Sequence, residues 1–84
     1  MTDDEIRALT DDLLALLDEE AATLIDETVQ RLTDTDLAAA IDRLLAMEKL
    51  ALFDTRIERA LRARRVLHVL YSHQDCRRVP RAQR

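Results

Sequence analysis

The sequence predicts an all-α fold: a small bundle of three helices, completed by dimerisation. Three observations predict it. There is no glycine, and the single proline is Pro80. Strands and tight turns draw on glycine for positive φ, so a chain without it can run helical almost throughout. Leu, Ala, Arg, Asp and Glu dominate, and most of these are good helix formers. Apolar residues recur at helical spacing from Ile6 to Tyr71.

The first helix is expected over residues 3–31. Thr2 followed by Glu5 has the spacing of a capping box, and Asp3, Asp4 and Glu5 suit the positive end of the helix dipole. Thr10 shares the phase of Ile6, Leu13 and Leu17, so the helix should run through it. Ile6, Leu9, Leu13, Leu16, Leu17, Ala21, Leu24 and Ile25 form one broad face, and Asp11, Asp12, Asp18, Glu19 and Asp26 take the other.

Thr33 and Asp34 mark the next turn and open a second helix over 34–53. This helix is apolar on two sides. Leu37, Ile41, Leu44, Leu45, Ala51 and Leu52 make one face, and Ala39, Ala46, Leu50 and Phe53 make another opposite it. Such a helix needs cover on both sides. Ala39, Ala46, Leu50 and Phe53 are therefore the candidate partner-binding residues. Thr55 with Glu58 opens a third helix over 55–73, whose face holds Ile57, Ala60, Leu61, Ala63, Val66, Leu67, Leu70 and Tyr71. The alternative fuses the last two helices and gives a long two-helix hairpin.

An 84-residue chain has room for one domain. Such a domain buries only ~60–65% of the surface its unfolded chain exposes, so oligomerisation would add needed stability. Cys76 is the only cysteine, which leaves no internal disulfide. Residues 1–76 read as a single helical domain and 77–84 as a basic flexible tail. No apolar run reaches the ~20 residues of a membrane span, so no membrane partner is expected. The acidic start MTDDEIRAL lacks the basic region of a signal peptide, and a cytoplasmic location is the expectation.

Charge is strongly segregated. Residues 1–54 hold fifteen acids and four bases, and residues 55–84 hold two acids and nine bases. One reading is internal: the basic third helix packs beside the acidic first and second. The other is a binding surface. Arg59, Arg62 and Arg65 recur every third residue and, with Arg77, Arg78, Arg81 and Arg84, could track a phosphate backbone. In size and architecture alone the chain resembles small antiparallel helical dimers that grip RNA loops, the plasmid copy-number regulators of the Rop type.

Three polar residues fall on or beside apolar arcs: Glu48, Arg64 and His68. If the second and third helices pack antiparallel about residue 54, Glu48 and Arg64 lie within about a turn of each other. They are the candidate buried polar group, pairing to fix register, or alternatively Arg64 lies along the core with its head in water. His73 and Cys76 have a spacing that suits a shared metal, but no second pair of ligands exists in the chain. No metal and no cofactor are expected.

Without glycine there is no phosphate-cradling loop, and no His–Asp arrangement surrounds Ser72, the only serine. The segment IRALTDDLLALLDEE resembles the opening helix of the all-helical chorismate mutases, which are dimers of similar length. That family implies several cationic side chains converging on a dicarboxylate. Residues 1–54 offer only Arg7, Arg31, Arg43 and Lys49, and Arg43 points away from the main apolar face. The expectation is a non-catalytic interaction module. It would act as a homodimer on a further protein, as adaptor, assembly factor or regulator. A nucleic-acid-binding regulator is the first alternative, and a small helical enzyme or metal protein the second.

Overall fold

A computed structural model describes residues 1–78. The chain forms four helices: α1 (Asp3–Asp18), α2 (Ala22–Gln30), α3 (Asp34–Phe53) and α4 (Ile57–Arg78). The all-α class holds, and the described residues contain no strand. The expected first helix is in fact two, so the bundle has four helices rather than three.

α1 starts on the capping box. Thr2 Oγ1 accepts the Glu5 N–H at 3.3 Å, and Glu5 Oε1 accepts the Thr2 N–H at 3.2 Å. The helix stops after Asp18 because Glu20 turns left-handed, at φ 57°. The Glu20 N–H then donates to the Leu17 carbonyl and the Ala21 N–H to the Leu16 carbonyl, at 3.1 and 2.9 Å. These two bonds close a Schellman motif, a helix end that ordinarily uses glycine. The cause is tertiary. An unbroken helix over 3–31 would run about 43 Å and carry Ile25 and Val29 away from the core. The turn folds α2 back, so that Ile25, Val29 and Leu32 join Ile6, Leu9 and Leu13.

α3 begins at the expected residue, where Thr33 Oγ1 accepts the Asp36 N–H at 3.1 Å. It ends in a second Schellman motif, with Thr55 at φ 61° and the Arg56 N–H donating to the Ala51 carbonyl at 2.7 Å. Thr55 does not cap α4 as the sequence predicts. Its hydroxyl donates to the Asp54 carbonyl instead. α4 also runs past the expected residue 73 and takes in Arg77 and Arg78, the first two residues assigned to the tail. No helix breaker occurs before Pro80, and Arg77 is tied to Asp34 and to the Val29 carbonyl. Residues 79–84 of the expected tail lie outside the described residues.

α3 and α4 form a long antiparallel hairpin. α1 lies in the groove on one side of it, touching both helices, and α2 sits beside α1 against α4. α1 runs in the direction of α3: Thr10 meets Arg43, and Leu14 and Ala15 lie by Met47. The core is one cluster, with Leu13, Val29, Leu44, Val66 and Leu70 completely buried at its centre. Each contributes roughly 1.5–3 kcal/mol through the apolar surface it removes from water. Thr10 is buried among them. Its hydroxyl donates to the Arg7 carbonyl and accepts the Arg43 Nε–H at 3.2 Å, so the buried oxygen is satisfied twice.

Candidate functional site

The helices differ in length, and that difference creates the candidate site. α3 has 20 residues and α4 has 22, against 16 in α1 and 9 in α2. The shared core follows α3 only as far as Leu44 and α4 only from Ala63. α1 ends where Asp18 pairs with Arg62. Beyond this level the hairpin continues toward Asp54 with Ala51 and Ala60 as its buried contacts. Their small side chains let the two helices meet while adding little apolar volume.

The exposed apolar residues collect on this hairpin. Among the described residues nine large hydrophobics are exposed, and seven of them are on α3 or α4: Leu45, Leu50, Leu52, Phe53, Ile57, Leu61 and Tyr71. They fall into two sets. Leu50 and Phe53 belong to the second apolar side of α3, where Ala46 is also exposed and Ala39 is half-buried against the core. Phe53 is 87% exposed, an unusual position for a large aromatic ring. The other set is Leu45, Leu52, Ile57, Leu61 and Tyr71: Leu45 and Tyr71 line a groove to which α1 and α2 contribute nothing, and Leu52, Ile57 and Leu61 follow it toward the tip at helical spacing. The sequence places these five in the core. They are uncovered because an amphipathic face records which residues are apolar and not how many helices stand opposite.

The second side is an open face with a shallow groove of about 170 Å³, lined by Leu45, Glu48, Arg64, Leu67, His68 and Tyr71. The three polar residues singled out in the sequence therefore come together, but not as a buried group. Arg64 Nη2 donates to Glu48 Oε1 at 3.1 Å, with the Glu48 side chain 16% exposed and that of Arg64 57% exposed. His68 is exposed as well. Burial fails for Arg64 and His68 because no helix covers that side. The arginine head reaches water while its stem lies along the groove.

The charge segregation has an internal counterpart. Arg62 pairs with Asp18, Arg64 with Glu48, His73 with Asp26 and Arg77 with Asp34. Each pair joins the basic fourth helix to an acid of the earlier helices. Of the seven arginines expected to track phosphates, Arg62 and Arg77 are thus already engaged, Arg59 and Arg65 are exposed, Arg78 ends α4, and Arg81 and Arg84 lie outside the described residues. Arg7, Arg31 and Lys49 are exposed at separate places and Arg43 is bound to Thr10, so the four early cations do not converge.

Two further grooves escaped the sequence reading. One of about 250 Å³ lies between α1 and α4, where Asp11 and Asp18 face Arg59 and Arg62. The other, of about 320 Å³, lies beside the α1–α2 turn and is lined by Leu17, Ala21, Ile25 and Val69 with Arg65. The second depends on the break at Glu20, which has no signal in the sequence. Among the described residues no group of three His, Cys, Asp or Glu side chains is placed to hold a metal ion, and no helix is long and apolar enough to cross a membrane. Comparison with protein-family models, with curated proteins and with solved structures finds no match, so the reading of function rests on the residues themselves.

Proposed function

We propose that the chain is a non-catalytic helical interaction module that works as a homodimer and serves a further protein as adaptor, assembly factor or regulator. One observation carries this reading: seven of the nine exposed large hydrophobics among the described residues lie on the α3–α4 hairpin. Monomeric proteins seldom gather so many exposed apolar side chains on one element, and such surface ordinarily marks association. The polar side chains near the grooves support the same reading. Glu48, Asp18 and Asp26 are each held by a basic partner, an arrangement that fixes helices in place. Nucleic-acid binding has less support, since Arg62 and Arg77, two of its seven arginines, are paired within the chain.

The test combines light scattering with affinity capture. Wild type should have the mass of two chains at micromolar concentration. Tagged wild type should retain a further protein that a Leu50→Glu, Phe53→Glu variant loses. A chain that is monomeric at every concentration and captures nothing but itself overturns the reading.

A further inference from the structure

We infer that the homodimer forms by packing the open faces of two α3–α4 hairpins against each other, through Leu45, Leu52, Ile57, Leu61 and Tyr71. The inference rests on the homodimeric reading above and names the surface it uses. It also departs from the sequence, which points to the opposite side of α3, at Ala39, Ala46, Leu50 and Phe53.

Area is the first argument. The five apolar side chains are between 38% and 61% exposed. Together with Arg64 and His68 they offer on the order of 700 Å², close to the roughly 800 Å² per partner that a stable interface buries. The Ala39 side offers less. Ala39 is already packed against the core and Ala46 is one methyl group, so Leu50 and Phe53 carry that side alone.

Charge is the second argument, and it selects a second copy as the occupant. Each chain carries a net charge of −4. The outer surface of α1 and α2 exposes Asp3, Asp4, Asp11, Asp12 and Glu27, so two copies meeting there oppose like charges. On the open face Glu48 and Arg64 are paired at 3.1 Å, and the exposed Lys49 and Asp75 stand beside the apolar residues, three residues before Leu52 and four after Tyr71. Acids and bases are therefore balanced on this face, Glu48 and Asp75 against Arg64 and Lys49, which suits a self-complementary two-fold contact better than the acidic surface of α1 and α2 does. Among the described residues a phosphate backbone or an anionic membrane would meet no excess of positive charge there, since Arg64 is paired with Glu48 and Lys49 is balanced by Asp75.

Packing two such faces puts four long helices in a central layer, with an α1–α2 pair on each outer side. The groove between Leu45 and Tyr71 is then filled by the partner's side chains. Leu50 and Phe53 stay outside the contact, available to the further protein.

The experiment measures the dissociation constant of full-length chains by light scattering and sedimentation, with circular dichroism as the check on folding. Leu45→Glu, Leu61→Glu should raise that constant by roughly 100-fold or more, because it buries two unpaired charges at the centre of the contact. Phe53→Glu should leave it within about twofold, as a residue outside the contact does. An independent arm places His68→Cys in a Cys76→Ser background, and oxidation should then link two chains. Glu27→Cys in the same background should not. A wild-type chain that stays monomeric overturns the inference, while the broader reading falls only if capture also recovers nothing. A dimer dissociated by Phe53→Glu and not by Leu45→Glu, Leu61→Glu also overturns the inference, and it leaves the homodimer standing on the Ala39 side.

Discussion

The two ends of the α3–α4 hairpin carry similar apolar patterns but have different surroundings. From Leu37 to Leu44 on α3, and from Ala63 to Leu70 on α4, the inward positions are covered by α1 or α2 and are almost wholly buried. Nearer the tip, Leu50, Leu52, Phe53, Ile57 and Leu61 are equally apolar and at least half exposed. Helix propensity does not separate the two ends, since the helices pass through both without a break. What separates them is the number of neighbours. A hairpin longer than the helices packed on it has one end that supplies stability and another whose apolar side chains stay exposed.

The largest expected effect tests the covered end. Leu44→Ala and Leu70→Ala each remove a completely buried side chain from a small core. Each should cost about 3–4 kcal/mol in urea unfolding, the transfer loss plus the cavity left behind. Phe53→Ala at the tip should change the stability of the folded chain by less than about 0.5 kcal/mol. If the two kinds of substitution cost the same, the tip is as well packed as the body and the comparison fails.

Native-state hydrogen exchange sharpens the contrast without mutation. Amides around Ala40–Leu44 and Val66–Leu70 should exchange only by global unfolding. Those from Leu50 to Arg59 should open locally at far lower free energy. The protection of Leu52 and Leu61 should rise with protein concentration if a second copy covers them. Protection independent of concentration counts against the open-face dimer.

Much of the fold could be read from the residues, and the misses have physical causes. Absent glycine and a tail-confined proline indicate the all-α class. Thr2 and Thr33 mark two helix starts because each is followed, three residues on, by the backbone N–H it accepts. The break at Glu19–Ala21 gives no such warning. Its left-handed residue is a glutamate, and Ala21 opens α2 with no side-chain cap. Apolar spacing continues through the turn in phase, so a periodic reading joins the two helices. The pairing of Glu48 with Arg64 was legible from an antiparallel register, and an Arg64 head in water was one of two readings of that residue, whereas the exposure of His68 was not legible. Wheel positions tell which residues share a side, and burial depends on what is packed against that side.

The next effect compares the turns at the two ends. Glu20 and Thr55 both hold a left-handed φ without glycine. That conformation costs an L-residue roughly 1–2 kcal/mol, more for a β-branched side chain crowded against its own carbonyl. Thr55→Gly should therefore stabilise the chain by about 1 kcal/mol and raise the melting temperature by roughly 4–8 °C. Glu20→Gly should give a smaller gain of the same sign. Destabilisation by Thr55→Gly would show that the turn owes more to its side chain than to its backbone. The Thr55 hydroxyl bond to the Asp54 carbonyl would then be the feature to examine.

The smallest effect concerns the ion pair on the open face. Glu48 is mostly covered, and its loss leaves Arg64 on the groove without the acid that neutralises it. Half of the pair lies in water, so the expected cost of Glu48→Ala to the folded chain is below about 1 kcal/mol. Glu19 caps the C-terminal end of α1, where a negative charge opposes the helix dipole. Glu19→Ala should be neutral or slightly stabilising. Thermal melts of the two variants should therefore differ in sign or at least in order, with Glu48→Ala the less stable. Raising the salt concentration should narrow the gap, since screening weakens both contributions. In the dimer the same glutamate is enclosed by the partner's face, and there an unpaired Arg64 has no water to turn to. Glu48→Ala should consequently weaken association more than it weakens folding, and Glu48→Gln less than either. Equal effects on folding and association would place Glu48 outside the contact.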